Sequence, residues 1–120
     1  MADALAPIER IDAWRLVPSE TQHLEFKEAR TQFDEYKLRQ YCVALANEGG
    51  GHLLLGVTDQ RPRAVVGTRA FRDIIEIAER LHRALGFRVN VVEVEHPQGR
   101  VLVFEIPSKP RGTAYHLDGR

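Results

Sequence analysis

The run Leu53-Leu54-Leu55-Gly56-Val57 constrains the fold of this 120-residue chain more than any other feature. A strand that is apolar on both faces cannot present either to water, so this run reads as a central strand. Around it, strand and helix periods alternate. His23-Leu24-Glu25-Phe26-Lys27 alternates polar and apolar, which places Leu24 and Phe26 inward and Glu25 and Lys27 on the other face. From Thr31 to Ala46, Leu38, Tyr41, Cys42, Leu45 and Ala46 fall at helical spacing on one face. Thr31 or Asp34 can cap that helix, and Gly49-Gly50-Gly51 ends it. Ala64-Val65-Val66-Gly67 reads as an edge strand or hairpin arm. Phe71, Ile74, Ile75, Ala78, Leu81 and Leu85 mark a second helix ending near Gly86. Residues 87–95 and 100–106 read as strands joined by the turn His96-Pro97-Gln98-Gly99.

The expected order is therefore β-α-β-β-α-β-β, an α+β fold: a two-layer α/β sandwich on a mixed sheet, with helices mainly on one face. Residues 1–18, with Ile8, Ile11, Trp14 and Leu16 before Pro18, read as a short helical arm packed on a domain that runs from 19 to 120. With 43% hydrophobic and 28% charged residues, the composition is that of an ordinary single globular domain. No apolar run approaches the roughly 20 residues of a membrane span, and the N-terminus lacks the layout of a signal peptide, so a cytoplasmic location is expected. The lone Cys42 excludes an internal disulfide and any zinc site built on two or more cysteines. Seventeen basic residues balance seventeen acidic ones, so any attraction to nucleic acid must come from a local patch.

Three acids, Glu20, Glu25 and Asp59, and one lysine, Lys27, fall at or near the ends of the first two strands, where an ionised group can reach water or a metal ion. Magnesium or manganese takes such oxygen ligands from one or two carboxylates, together with water and substrate phosphate. An ion held in that way can activate water and stabilise the leaving oxygen in phosphodiester cleavage. Positions 20 and 25 are an odd number apart, so the chain must bend near Ser19 to Thr21 if those two carboxylates are to converge. The plainer alternative makes Glu20 a solvated or capping loop residue, pairs Glu25 with Lys27 or an arginine, and uses Asp59 to close a turn with Gln60-Arg61-Pro62. Basic groups gather in two places: Arg61, Arg63, Arg69 and Arg72 after the second strand, and Lys109, Arg111 and Arg120 near the end. They could hold phosphates or simply be solvated. Trp14, Tyr36 and Tyr115 could stack on bases, although Trp14 at this spacing suits a core. A phosphate loop lies between a strand and a helix N-terminus. Here the glycine run follows a helix and precedes a strand, which argues against binding of a nucleoside triphosphate.

The segments Glu20-Thr21-Gln22-His23-Leu24-Glu25-Phe26-Lys27, Ala46-Asn47-Glu48-Gly49-Gly50-Gly51 and Gly56-Val57-Thr58-Asp59 resemble the AlbA_2-like domain of Schlafen proteins and their bacterial relatives. In that family, Glu-four-residues-Glu-Phe-Lys, Ala-Asn-x-x-Gly-Gly and Gly-Val-x-Asp form the frame. The resemblance runs from about Glu20 to Arg120. It implies a DNA- or RNA-binding domain and, as in the ribonuclease-active members, a metal-dependent endoribonuclease acting on structured RNA such as transfer RNA. On that reading Glu20, Glu25 and Asp59 hold Mg²⁺ or Mn²⁺, Lys27 stabilises charge, and Arg61, Arg63, Arg69, Arg72, Lys109 and Arg111 contact the backbone. The alternative is a non-catalytic module of a regulator or defence protein; some relatives have been described as divergent ATPases. The family continues beyond this region into a strand with an Arg-x-Gly element, so the C-terminal edge is expected to be truncated or absent here. Schlafen members also set two lobes around a channel and carry a Cys/His zinc site, for which this chain lacks the cysteines. A single lobe would recover the channel by forming a homodimer through the strands of residues 87–106, and a charge at Val101 or Val103 would test that pairing.

Overall fold

The computed structural model describes residues 7–18 and 23–109. The elements run α1 (Pro7–Arg15), β1 (Leu24–Lys27), α2 (Glu35–Asn47), β2 (Gly51–Leu55), α3 (Ile74–Leu85), β3 (Asn90–His96) and β4 (Gly99–Ile106). The sheet order is β1-β2-β4-β3, with β1 parallel to β2 and the other two pairings antiparallel. The α+β class and the mixed sheet are those expected, and Leu53, Leu54 and Leu55 are fully buried in an interior strand.

Register explains the two faces. Leu53 and Leu55 of β2 and Leu102, Phe104 and Ile106 of β4 pack against Leu38, Cys42 and Leu45 of α2 and Ile77 and Leu81 of α3. The alternate residues Leu24, Phe26, Leu54, Val101 and Val103 form a second core on the opposite face, closed by Ile11 of α1 with Trp14 beside it. The arm thus covers part of this sheet face, together with Val57 and Val65 of the segment after β2. Val101 and Val103 are 0% and 4% exposed. A charge at either one would disrupt this core, so neither position can serve as a probe of a dimer surface.

Strand β3 starts at Asn90 rather than 87 and takes in His96, a residue of the expected turn. Three further boundaries differ from expectation, each for a local reason. The predicted strand at 64–67 is reduced to a single bridge between Val57 and Val65, because the Val66 and Gly67 amides turn back onto the Gly56 carbonyl at 2.8 and 3.0 Å. Helix α2 starts at Glu35 because Asp34 caps it, its carboxylate accepting from the Lys37 amide at 2.9 Å. Asp73 does the same for α3, accepting from the Glu76 amide at 3.0 Å. Phe71 therefore lies outside that helix, with φ at 51° and its ring edge-on to Phe104 at 6.3 Å.

Candidate nucleic-acid interface

The parallel pair β1 and β2 end side by side. The segments that follow them open a cleft of about 520 Å³ lined by Phe26, Lys27, Glu28, Thr58, Asp59, Gln60 and Arg61. Ligands of open α/β sheets bind in this position, outside the carboxyl ends of the strands. The loop carrying Asp59 and Arg61 is pinched at its base: the Thr58 amide donates to the Ala64 carbonyl, and the Ala64 amide donates to the Thr58 hydroxyl, both at 2.9 Å. Arg61 is exposed on its rim and donates from Nη1 to the Pro18 carbonyl at 2.6 Å.

Glu25 and Lys27 share the sheet face that α2 covers, as the alternation requires, and both are half-buried. The Lys27 ammonium sits 5.3 Å from the centre of the Tyr41 ring. A hydrogen bond with Tyr41 is the main cause that raises its pKa above the ordinary lysine value, against the effect of burial, and attraction from Asp59 and Glu25 adds to it. Lys27 therefore stays charged and links the two acids electrostatically. Tyr41 was missed as a functional residue because its helical spacing accounts for it as a core position. The hydroxyl, on a face otherwise made of aliphatic side chains and Cys42, was the available signal.

Among the described residues, no group of three or more His, Cys, Asp or Glu is placed to hold a metal ion. Glu20 lies outside the described residues, so Glu25 and Asp59 are the two acids of the expected triad that can be placed. Their oxygen donors suit a hard cation, which needs only one or two carboxylates when substrate phosphate completes its shell.

The predicted basic residues separate. Arg63 is 4% exposed and turned inward. Its guanidinium stacks over Phe26 at 4.4 Å, and Nη1 donates to the Arg15 and Val17 carbonyls at 3.2 and 2.5 Å, while its own carbonyl accepts from Arg15 Nε at 3.0 Å. It joins α1 to the loop and is unavailable to a ligand, which corrects its assignment to the interface. Arg69 and Arg72 are exposed and line a smaller cavity of about 250 Å³ with Glu93 and Arg100. Lys109 is at the other end of the sheet, its amide bonded to the Ala46 carbonyl at 3.0 Å. Arg111, Arg120 and Tyr115 lie outside the described residues. Trp14 packs on the α1 core, with its ring 4.7 Å from His52, and Tyr36 is 49% exposed on α2.

The glycine run is a helix stop. The Gly49 amide bonds the Ala46 carbonyl and the Gly50 amide bonds the Leu45 carbonyl, at 3.3 and 2.8 Å, the pairing of a Schellman cap. The Glu48 amide returns to Ala44 and Leu45, so these donors are spent on helix carbonyls rather than on a phosphate. A side chain at Gly50, where φ is 89°, would meet the Ile106 carbonyl at 2.8 Å and the Ser108 amide at 2.9 Å.

These features define a small α+β domain with an acid-and-lysine cleft at the carboxyl ends of a parallel strand pair. The chain belongs to the Schlafen AlbA_2 family, whose pattern it matches over residues 20–120. No curated protein matches it. Among solved structures it is similar to the DIP2311 protein from Corynebacterium diphtheriae, with 19% identity and a TM-score of 0.66; the match covers 92% of this chain and 23% of that one. It is also similar to the N-terminal domain of a RecG-related protein from Nitrosomonas europaea, named for an ATP-dependent DNA helicase. That match has 21% identity and a TM-score of 0.60, covering 94% of this chain and 82% of that one. Both likenesses are of fold. No helix among the described residues is long and apolar enough to cross a membrane.

Proposed function

We propose that this domain binds nucleic acid and that its cleft cleaves structured RNA with the help of a divalent ion. The observation that carries this reading is the placement of Lys27 in an open cleft with Asp59, its charge interacting with both Asp59 and Glu25, and with Arg61 on the rim. Glu25 and Asp59, joined by Glu20, would hold Mg²⁺ or Mn²⁺, which supplies an activated water and stabilises the leaving oxygen when bound. Lys27 offsets charge on the phosphoryl group, Tyr41 orients the ammonium, and Arg61 retains donors beyond its bond to Pro18 with which to grip the backbone. Two copies pairing along the exposed edge β3 would lengthen the track for a structured RNA. Sedimentation at micromolar concentration tests that step, since a monomer that still binds RNA removes pairing from the mechanism.

A second reading makes the domain a non-catalytic DNA- or RNA-binding module of a larger protein. It is favoured by the exposed arginines Arg61, Arg69 and Arg72, which can grip a phosphate backbone without a metal ion. Incubation with transfer RNA separates the two. The enzyme reading expects cleavage with magnesium or manganese that stops on chelation and in Glu25→Ala or Asp59→Ala. Binding with no cleavage under any metal condition, and unchanged in both variants, leaves the module reading.

A further inference from the structure

Two residues other than glycine have positive φ among the described residues, Ala29 at 44° and Phe71 at 51°. Each immediately precedes an arginine, Arg30 and Arg72. Such conformations cost about 1 to 2 kcal/mol in an L-residue and persist where the surroundings enforce them, often at ligand sites. Here the two strained loops enforce one another. The Thr68 hydroxyl donates to the Ala29 carbonyl and accepts from the Ala70 amide, and the Arg69 amide donates to the Arg30 carbonyl at 3.0 Å. Arg100 locks the second loop from below: Nη1 donates to the Thr68 and Ala70 carbonyls at 3.2 and 2.8 Å, and Nη2 to the Phe71 carbonyl at 2.8 Å. Its remaining Nε donates to Glu93. The guanidinium of Arg100 is thus consumed by scaffolding and its charge is offset by Glu93. Arg69 and Arg72 stand exposed on either side of Phe71, with no partner among the described residues, over a shared cavity of about 250 Å³.

We propose that the joined loops 28–30 and 68–72 form a preorganised phosphate-binding platform, with Arg69 and Arg72 as the ligating side chains and Arg100 and Thr68 as the scaffold. The cavity wall carries three guanidinium charges against one carboxylate, leaving two positive charges for an anion. Paired guanidinium forks match phosphate oxygens, and a rigid backbone spares the ordering cost that mobile arginines would incur. The inference rests on the nucleic-acid reading above and extends it: the occupant is a backbone phosphodiester at a second contact point beyond the Lys27 cleft, reached across Arg30. Glu28 pairs with Arg30 at 3.2 Å in the open, an exchangeable contact.

The test is a titration of the isotope-labelled chain with inorganic phosphate, read at the arginine Nε–H signals, and with a single-stranded oligonucleotide at several salt concentrations. Phosphate is expected to shift Arg69 and Arg72 saturably, with chloride at equal ionic strength doing much less, and Arg69→Gln with Arg72→Gln to abolish the response. In that double variant the logarithmic salt slope of oligonucleotide binding should flatten by about 1.4, the worth of two single-strand phosphate contacts. Arg100→Lys separates platform from patch, because it keeps the charge and loses the three-carbonyl grip. Weaker phosphate binding in the folded variant supports preorganisation, and unchanged binding overturns it. If Arg100→Lys fails to fold, Thr68→Val tests the same link. Phosphate binding that survives the double variant overturns the platform. Phosphate binding at Arg69 and Arg72 without oligonucleotide affinity keeps the platform and overturns the nucleic-acid reading. Oligonucleotide binding indifferent to the double variant does the reverse.

Discussion

At the scale of single residues, environment decides which titratable groups do something unusual. His52 lies on the α1 face of β2, tilted against Trp14, and burial holds its imidazole below the ordinary histidine range; Glu105 opposes that shift and Arg10 adds to it. The unfolded chain accepts this proton near pH 6.5 and the folded chain only at lower pH. The stability associated with a neutral His52 is therefore complete above that value and is lost as pH falls through it towards the folded pKa. Trp14 is the only tryptophan, so its emission reports the event directly. Emission should titrate with a midpoint below 6.5, and His52→Gln should remove that step and flatten the fall in urea midpoint between about pH 7 and pH 5. A step at the ordinary value would show that the ring is solvated, and one above it that Glu105 outweighs burial.

At the scale of elements, the arm α1 depends on a few polar ties around one apolar plug. Ile11 is fully buried, Asp12 accepts from His96 Nε2 at 2.9 Å and from Arg15, and Arg63 reaches across to the end of the helix. Arg63→Ala removes a cation over Phe26 and strips a donor from the Arg15 and Val17 carbonyls. The expected cost is about 2 to 4 kcal/mol, read by urea unfolding. Arg61→Ala, on the exposed rim, should cost less than about 0.5 kcal/mol. Equal losses would mean that α1 contributes little. This contrast marks where the sequence was legible. Alternation in β1, the helical face of α2 and the glycine stop are local, period-driven signals, and the structure keeps them. The strand at Val65 and Val66 failed because β-branched residues were read by propensity, whereas one carbonyl, Gly56, draws both following amides away from a ladder. Arg63 read as surface because most arginines are. Its burial depends on carbonyls 46 and 48 residues away, and no local pattern encodes that. Tyr41 and Arg100 were hidden for the same reason, since their roles exist only once β1 meets α2 and β4 meets the 68–71 loop.

For the whole molecule, the decisive fact is that Arg61 and Lys109 lie at opposite ends of one sheet. Arg61 follows the carboxyl end of β2, together with Lys27, Asp59 and the Arg69–Arg72 loop. β4 runs antiparallel to β2, so its exit through Ile106 towards Lys109 lies beside Gly51, at the amino end of β2. The five residues of β2 alone separate these ends by about 17 Å. With zero net charge, attraction to a polyanion comes from these local contacts rather than from the chain's overall charge. A duplex with 3.4 Å between successive phosphates on a strand must therefore exceed about five base pairs before it can touch both. Affinity should then depend on length in a residue-specific way. Short hairpins or oligonucleotides should lose affinity in Arg61→Ala and be indifferent to Lys109→Ala, whereas a full transfer RNA should lose affinity in both. On the longer ligand, each variant should lower the logarithmic salt slope by about 0.9, the value for one contact to a duplex. Fluorescence anisotropy across a ladder of lengths measures this. A Lys109 effect already present in the shortest ligand would place both residues on one contact and refute the two-ended track.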